Sequence, residues 1–244
     1  MLLWLWMLLI AYSLADADGL ATEYSSGSQR VPLVELYTSE GCSSCPPADR
    51  WLSKLQTDPD LWNKITPIAF HVDYWDYIGW TDAFAQSAFG DRQRRYADEG
   101  ASRFVYTPGM FRGGSEWNGW RFGRSASGDN DEVGTLNLTV KNSVVAARFE
   151  TLEKRYVELT LHVAVLGMGI ETRVKAGENK GKTLHHDFVA LDLVSVPLDT
   201  TGNGHEAITE LPNMDAYPEQ RAIVAWVSAK GDQMPIQSVG GLLR

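Results

Sequence analysis

Val31-Pro32-Leu33-Val34-Glu35-Leu36-Tyr37-Thr38-Ser39-Glu40-Gly41-Cys42-Ser43-Ser44-Cys45-Pro46-Pro47-Ala48-Asp49-Arg50-Trp51-Leu52 decides how this chain is read. Val31 to Thr38 is a short apolar run with Pro32 near its start, where a missing backbone donor is tolerated, and it predicts a buried strand. Ser39 to Cys42 reads as a turn. Pro46 suits the first turn of a helix, whose backbone donors are unpaired in any case. Trp51, Leu52 and Leu55 then give a helix to about Gln56 one apolar face. The two cysteines therefore fall at a strand-to-helix junction. A cysteine there faces free N–H groups and the positive end of the helix dipole. Both favour the thiolate, which is the nucleophilic form.

This placement makes Cys42 the expected attacking thiol and the more exposed of the pair, with Cys45 in the first turn as the resolving thiol. Two other readings stand beside it. One is a static disulfide, although a ring this small removes little chain entropy. The other is a metal site, although zinc usually needs a second CxxC or CxxH and the chain has only two cysteines. Pro46 rather than histidine follows Cys45, so haem attachment has no support.

Outward from the dithiol, Ile65 to Val72 predicts a second apolar strand and Asp73 to Trp80 an aromatic loop. Asp82 to Tyr96 predicts a helix capped by Thr81 or Asp82. Met110 to Arg112 is a short strand after the Thr107-Pro108 step. Strand, helix, strand, helix, strand is an α/β pattern with a parallel component. Glu35, inside the first strand, is a costly buried carboxylate unless paired. It is a candidate proton relay for Cys45 or a structural ion-pair partner. His71 and Asp73 end the second strand, where a strand-end site would lie, and are candidates for tuning the thiolate or for bridging strand to loop. Trp75, Tyr77 and Trp80 are either an aromatic rim or core. Arg92, Arg94 and Arg95, interleaved with Asp91, Asp98 and Glu99, read as a solvated helix face.

Composition changes at Ser125 to Gly134, which is polar and glycine-rich, and the boundary between residues 31–124 and 135–244 is expected there. Beyond it Thr135–Val140, Tyr156–Leu166, Glu171–Ala176, Asp187–Val196, Glu206–Leu211 and Gln220–Ser228 look extended, separated by turn signals. Such spacing predicts a β-rich, sandwich-like C-terminal part. His185 and His186 with His162 suggest a metal set, but consecutive strand residues point to opposite faces. Gly177-Glu178-Asn179-Lys180-Gly181 reads as a hairpin turn, with an interdomain or site-facing loop as the alternative.

Leu2 to Ile10 is an unbroken apolar run, and Ala15-Asp16-Ala17 fits a small-x-small cleavage site. Residues 1–17 therefore read as a signal peptide and residues 18–30 as a flexible lead-in, which predicts an exported protein, periplasmic or secreted. The apolar run is shorter than the roughly 20 residues of a membrane span, so no stable membrane insertion is expected after cleavage. An oxidising compartment permits a disulfide. The formal charge of −9 argues against nucleic acid as a partner.

The run from Val34 to Asp49 resembles the opening motif of the DUF1223 family. His71-Val72-Asp73-Tyr74-Trp75-Asp76-Tyr77-Ile78-Gly79-Trp80, Tyr106-Thr107-Pro108 and Ala176-Gly177-Glu178-Asn179-Lys180-Gly181 extend the resemblance over most of the chain. It implies an α/β thioredoxin-like N-terminal domain followed by a β-rich part, and it supplies no substrate. In that fold class a cis proline beside the dithiol leaves a backbone edge free for substrate. Thr107 and Pro108 are thus docking candidates, with an ordinary trans turn proline as the alternative. Thioredoxins proper carry Trp before the first Cys and Gly-Pro between the two. Gly41 and Ser43-Ser44 stand there instead, so the direction of exchange does not carry over. The expectation is a thiol–disulfide oxidoreductase acting on a protein or small-molecule thiol or disulfide, with no cofactor and no metal. The alternatives are a non-catalytic binding module and a copper metallochaperone using Cys42, Cys45 and His71.

Overall fold

The computed structural model describes residues 20–152, 158–202, 204–211 and 220–243. The expected signal segment, residues 1–17, lies outside them. Thr22–Ser25 forms strand β1, so part of the expected flexible lead-in is a strand; its Tyr24 packs on the sandwich core and donates from its hydroxyl to the Leu242 carbonyl. β2 (Leu33–Thr38) leads through the CxxC turn into α1 (Pro46–Ser53), which a 3-10 turn extends to Thr57. β3 (Thr66–His71) follows, then a 3-10 turn at Asp73–Ile78 and α2 (Ser87–Asp98). β4 (Gly109–Arg112) and β5 (Ser115–Glu116) form a hairpin.

The remaining strands are β6 (Gly134–Lys141), β7 (Val144–Thr151), β8 (Leu159–Gly167), β9 (Ile170–Arg173), β10 (Thr183–His186), β11 (Val189–Thr201), β12 (Gly204–Glu210), β13 (Arg221–Ala229) and β14 (Pro235–Leu242). β2 and β3 are parallel and buried along their whole length, as continuous apolar runs should be. β4 pairs antiparallel on the other side of β2. β11 is the seam of the molecule. Its first residue, Val189, pairs parallel with Ala69 of β3, its body runs antiparallel to β8, and its end pairs with β12.

This continuity corrects the expected fold class. The chain does not carry an α/β thioredoxin-like N-terminal domain. Among the described residues 46% are strand and 16% helix, and β2, β3 and β4 belong to one mixed 12-stranded sheet with the C-terminal strands. The reason lies in strands with two apolar faces. On β13, Ala222, Val224 and Trp226 join Phe70, Phe89 and Leu36 in one core. The alternate residues Ile223, Ala225 and Val227 join Leu136, Val145 and Phe149 in the other. β8 divides in the same way, with Ala164 and Leu166 on the first side and Leu161 and Val163 on the second. A strand whose odd and even residues serve different cores ties both into one body. The β-rich expectation for the second half holds, with β6, β7 and β12 facing β8, β13 and β14 across the second core.

α2 starts at Ser87, five residues after Asp82, whose Oδ1 accepts the Phe84 N–H at 3.0 Å and closes only a turn while its Oδ2 meets His71 and the Glu40 N–H. Arg92 is not on a solvated face either. It is buried and donates from Nε to Glu35 Oε2 at 2.7 Å, while Arg94 pairs with Asp91 at the surface.

Candidate dithiol site

Cys42 and Cys45 are both free thiols and both buried, at 1% and 0% exposure, so the expected difference in accessibility is absent. The difference is chemical. Cys42 Sγ lies 3.2 Å from Ser44 Oγ and 3.8 Å from the Thr107 carbonyl oxygen. Its pKa is lowered to about 6. A hydrogen bond from Cys45 is the largest cause, burial works against it, and contacts with Ser44 and Thr107 add to it. Cys45 is driven well above the ordinary thiol value, first by burial and then by the hydrogen bond to Cys42 and the charges on Cys42 and Asp49.

The Thr107-Pro108 bond is cis. Thr107 is fixed from two sides: its carbonyl faces Cys42, and its hydroxyl accepts the Trp75 indole N–H at 2.7 Å. Gln93 of α2 supports the same edge, donating to the Tyr106 carbonyl at 2.7 Å and accepting from the Tyr74 hydroxyl at 2.9 Å. The fold thus brings the CxxC turn and the Thr107-Pro108 step together.

A clamp from the second half of the chain holds the CxxC turn. The fully buried Asn179 donates to the carbonyls of Glu40 (2.8 Å) and Cys42 (2.9 Å), and its own Oδ1 accepts from Lys182 Nζ. Glu178 accepts the Ser43 backbone N–H at 3.0 Å, which holds its carboxyl below the usual range. Gly177 lets the loop approach: its φ is +71°, and a Cβ there would lie 3.1 Å from Ile78 Cδ1. The segment 177–181 is thus more than a hairpin turn, and its contacts to the CxxC turn span about 135 to 140 residues.

Beneath the thiols lies a buried acid–histidine cluster. Asp49, one turn after Cys45 on α1, accepts the Thr38 hydroxyl at 3.2 Å, and burial raises its carboxyl above the usual range. His71 Nδ1 meets Asp82 Oδ2 at 2.7 Å, and the same oxygen accepts the Glu40 backbone N–H at 2.9 Å. Burial alone would lower His71, but Asp82, Asp49 and Glu40 outweigh it and raise it. Burial likewise opposes, and His71 overrides, in holding Asp82 below the carboxylate range. His186 of β10 sits between Glu40 (3.6 Å) and Asp49 (3.9 Å), edge-on to His71 with ring centroids 4.9 Å apart. Trp80 donates its indole N–H to Glu40 Oε2 at 2.7 Å.

The other candidates fall elsewhere. Glu35 is not a relay for Cys45. It accepts from Arg92, from the Tyr37 hydroxyl at 3.0 Å and from the Tyr96 hydroxyl at 2.5 Å, a buried network that uses both its oxygens. His71 points its Nδ1 to Asp82 rather than to sulfur, and Asp73 is half-buried against Gly90 of α2. Tyr77 is 82% exposed, whereas Trp75 and Trp80 are half-buried props for Thr107 and Glu40. His185 and His186 do diverge, one exposed and one buried. His162 is held apart from them by Ser195, Ser228 and the stacked ring of Trp226. Among the described residues no three His, Cys, Asp or Glu side chains are arranged to hold a metal ion, and no helix is long and apolar enough to cross a membrane.

Two solved structures share the fold. One is a structural-genomics crystal structure of a protein from Agrobacterium tumefaciens, 24% identical, with a TM-score of 0.62 over 88% of this chain and 95% of the other. The second is HBP35 of Porphyromonas gingivalis, 15% identical, with a TM-score of 0.58 over 89% of this chain and 76% of the other. No curated protein matches. The sequence model of DUF1223, proteins of unknown function, matches residues 33–228, and the chain belongs to that family.

Proposed function

We propose that this protein is a thiol–disulfide oxidoreductase of an extracytoplasmic compartment, with a protein or small-molecule thiol or disulfide as substrate. The observation that carries the reading is the inequality of its two thiols. One has its pKa lowered to about 6 by hydrogen bonds from Cys45 and Ser44, and the other is kept protonated below it. An inert disulfide pair needs no such difference. With its pKa lowered to about 6, Cys42 is mostly thiolate at pH 7.

A stabilised thiolate favours the reduced pair and makes the disulfide form the better oxidant. In that direction a substrate thiolate attacks Cys42 Sγ of the Cys42–Cys45 bond. Cys45 leaves and takes a proton, for which Asp49, the carboxyl whose charge acts on Cys45, is the donor we assign. A second substrate thiolate then attacks its partner sulfur, and Cys42 leaves as the thiolate. The substrate loses two electrons and the protein gains them; a disulfide-bearing small molecule or partner protein restores the bond. The reverse sequence reduces a substrate disulfide.

Cys45→Ala should trap mixed disulfides on Cys42, read on non-reducing gels and by mass spectrometry, and Cys42→Ala should trap none. If the reduced wild-type protein exchanges with no small disulfide and Cys45→Ala captures nothing, the reading is wrong. Export rests on the apolar run and the Ala15-Asp16-Ala17 site. N-terminal sequencing of the protein from the extracytoplasmic fraction should begin at Asp18, and a chain that stays cytoplasmic with its leader intact would contradict it.

A further inference from the structure

The buried cluster contains more polar atoms than its hydrogen bonds use. Both ring nitrogens of His186, Nε2 of His71 and Oε1 of Glu40 are buried and have no hydrogen-bond partner. Buried polar groups in folded proteins are nearly always bonded, and exceptions gather where a proton or charge moves. These atoms converge from three elements: the turn after β2 (Glu40), β3 (His71) and β10 (His186). Asp49 closes the set from α1, one helical turn beyond Cys45.

We propose that His186 is a positioning residue that stores the Cys45 proton, taking it through Asp49 whenever Cys45 must act as a thiolate. The inference rests on the oxidoreductase reading above. Its Nδ1 stands 3.9 Å from Asp49 Oδ1 and its Nε2 stands 3.6 Å from Glu40 Oε1. Those gaps exceed a hydrogen bond by less than an ångström, and a charged imidazole between two carboxylates would draw them closed. When substrate reduction runs, Cys45 S–H passes its proton to Asp49, and Asp49 passes it to His186. The Cys45 thiolate then attacks Cys42 Sγ of the mixed disulfide. The Cys42–Cys45 bond forms, the bond to substrate breaks, and the substrate thiolate leaves to take a proton from water. Two electrons go from the dithiol to the substrate. The imidazolium lies between Asp49 and Glu40, so the buried set gains no net charge when the thiolate forms.

The charged and titratable groups facing His186 are Glu40, Asp49 and His71, with Asp82 behind His71. His71 is already committed to Asp82 at 2.7 Å. His186 is the histidine of the cluster with neither nitrogen bonded, which is why the proton is assigned to it.

The aromatic disulfide DTNB separates the two steps by its absorbance. The first thionitrobenzoate is released when Cys42 attacks, and the second when Cys45 resolves the mixed disulfide. His186→Gln keeps polarity and removes the proton site. Its first release should match wild type, while the second should slow by about tenfold at pH 7 and lose the pH inflection that wild type shows. Glu40→Gln should keep that inflection but move it to lower pH, because the charge that favours the imidazolium is gone. Equal second-release rates and pH profiles in wild type and His186→Gln would overturn the assignment. A wild type that releases no thionitrobenzoate in the first step would instead bring down the oxidoreductase reading itself. If His186→Gln fails to fold, as circular dichroism would show, the Glu40→Gln profile decides: an unmoved inflection overturns the proposal.

Discussion

The hydrogen bond from Cys45 gives Cys42 a pH window. Its folded pKa is lowered to about 6, against about 8.5 for a free thiol. A depressed acid stabilises the folded state above the unfolded pKa, and that contribution fades as pH falls through the folded value. The reduced protein should therefore lose stability relative to the oxidised one as pH drops from about 8.5 toward about 6. Cys45 is shifted upward, so the folded thiol stays protonated while the unfolded one ionises near about 8.5; it opposes the Cys42 slope at the top of the window and adds nothing to it toward about pH 6. Alkylation by iodoacetamide gives the direct check, with a rate inflection near pH 6 that vanishes in Cys42→Ser. Glu35 and Arg92 behave differently. Arg92 is buried beneath Phe70, Tyr96 and Trp226, and its guanidinium also donates to Gln233 Oε1 at 2.8 Å. Arg92→Met leaves the Glu35 charge uncompensated and should cost about 3–5 kcal/mol by urea unfolding. The double variant with Glu35→Gln should recover a good part of that loss. A cost below 1 kcal/mol for the single variant would show that the network is not the anchor it resembles.

At the scale of elements, the loop 177–181 acts on the CxxC turn from far along the chain. Asn179→Ala removes two hydrogen bonds to buried carbonyls of the CxxC turn, at Glu40 and Cys42. The expected cost is about 1–3 kcal/mol, together with a rise in the Cys42 alkylation inflection as the turn loosens. An unchanged inflection would mean that the turn holds its own shape. What could be read in advance follows from the range of the interactions. β2, β3 and α1 announce themselves through local apolar runs and a proline at the helix start, and the dithiol with Thr107 and Pro108 came from them. β14 was missed because Gly240 and Gly241 weaken its pattern. They are glycine because Trp62 and Tyr24 pack on them, with a Cβ at Gly240 falling 2.7 Å from Trp62 Cε3. Glu35 was placed correctly in a buried strand, but its partner Arg92 sits 57 residues away and was read as surface. Asp49 carries no signal of its own, Asp82 reads only as a helix cap and His186 only as a member of a metal set, for a related reason. Each is an ordinary residue in its own segment and acquires a role only when β3, α1 and β10 meet.

At the scale of the molecule, the decisive feature is that the dithiol half has no sheet of its own. β3 is flanked by β2 on one side and by β11 on the other, through Val189 and Ala69 and the Ala69 N–H to Phe188 carbonyl bond of 2.8 Å. The core beside the dithiol is closed by Trp226, Ala164 and Leu166, all from beyond the expected boundary. A fragment of residues 20–130 would leave the β3 edge unpaired, expose the apolar face that Trp226 covers, and remove Asn179 and His186 from the site. Exposed strand edges and large apolar faces drive association rather than folding. We expect that fragment to lack a cooperative unfolding transition, to bind an apolar dye, and to show a Cys42 thiol of ordinary reactivity. The full chain should unfold in one transition, and Trp226→Ala should lower its midpoint by the equivalent of about 3–5 kcal/mol. Because both faces of β13 are packed, fluorescence near the dithiol and circular dichroism of the strands should report the same midpoint. A fragment that folds by itself and keeps a Cys42 inflection near pH 6 would refute this dependence and restore a self-contained N-terminal domain.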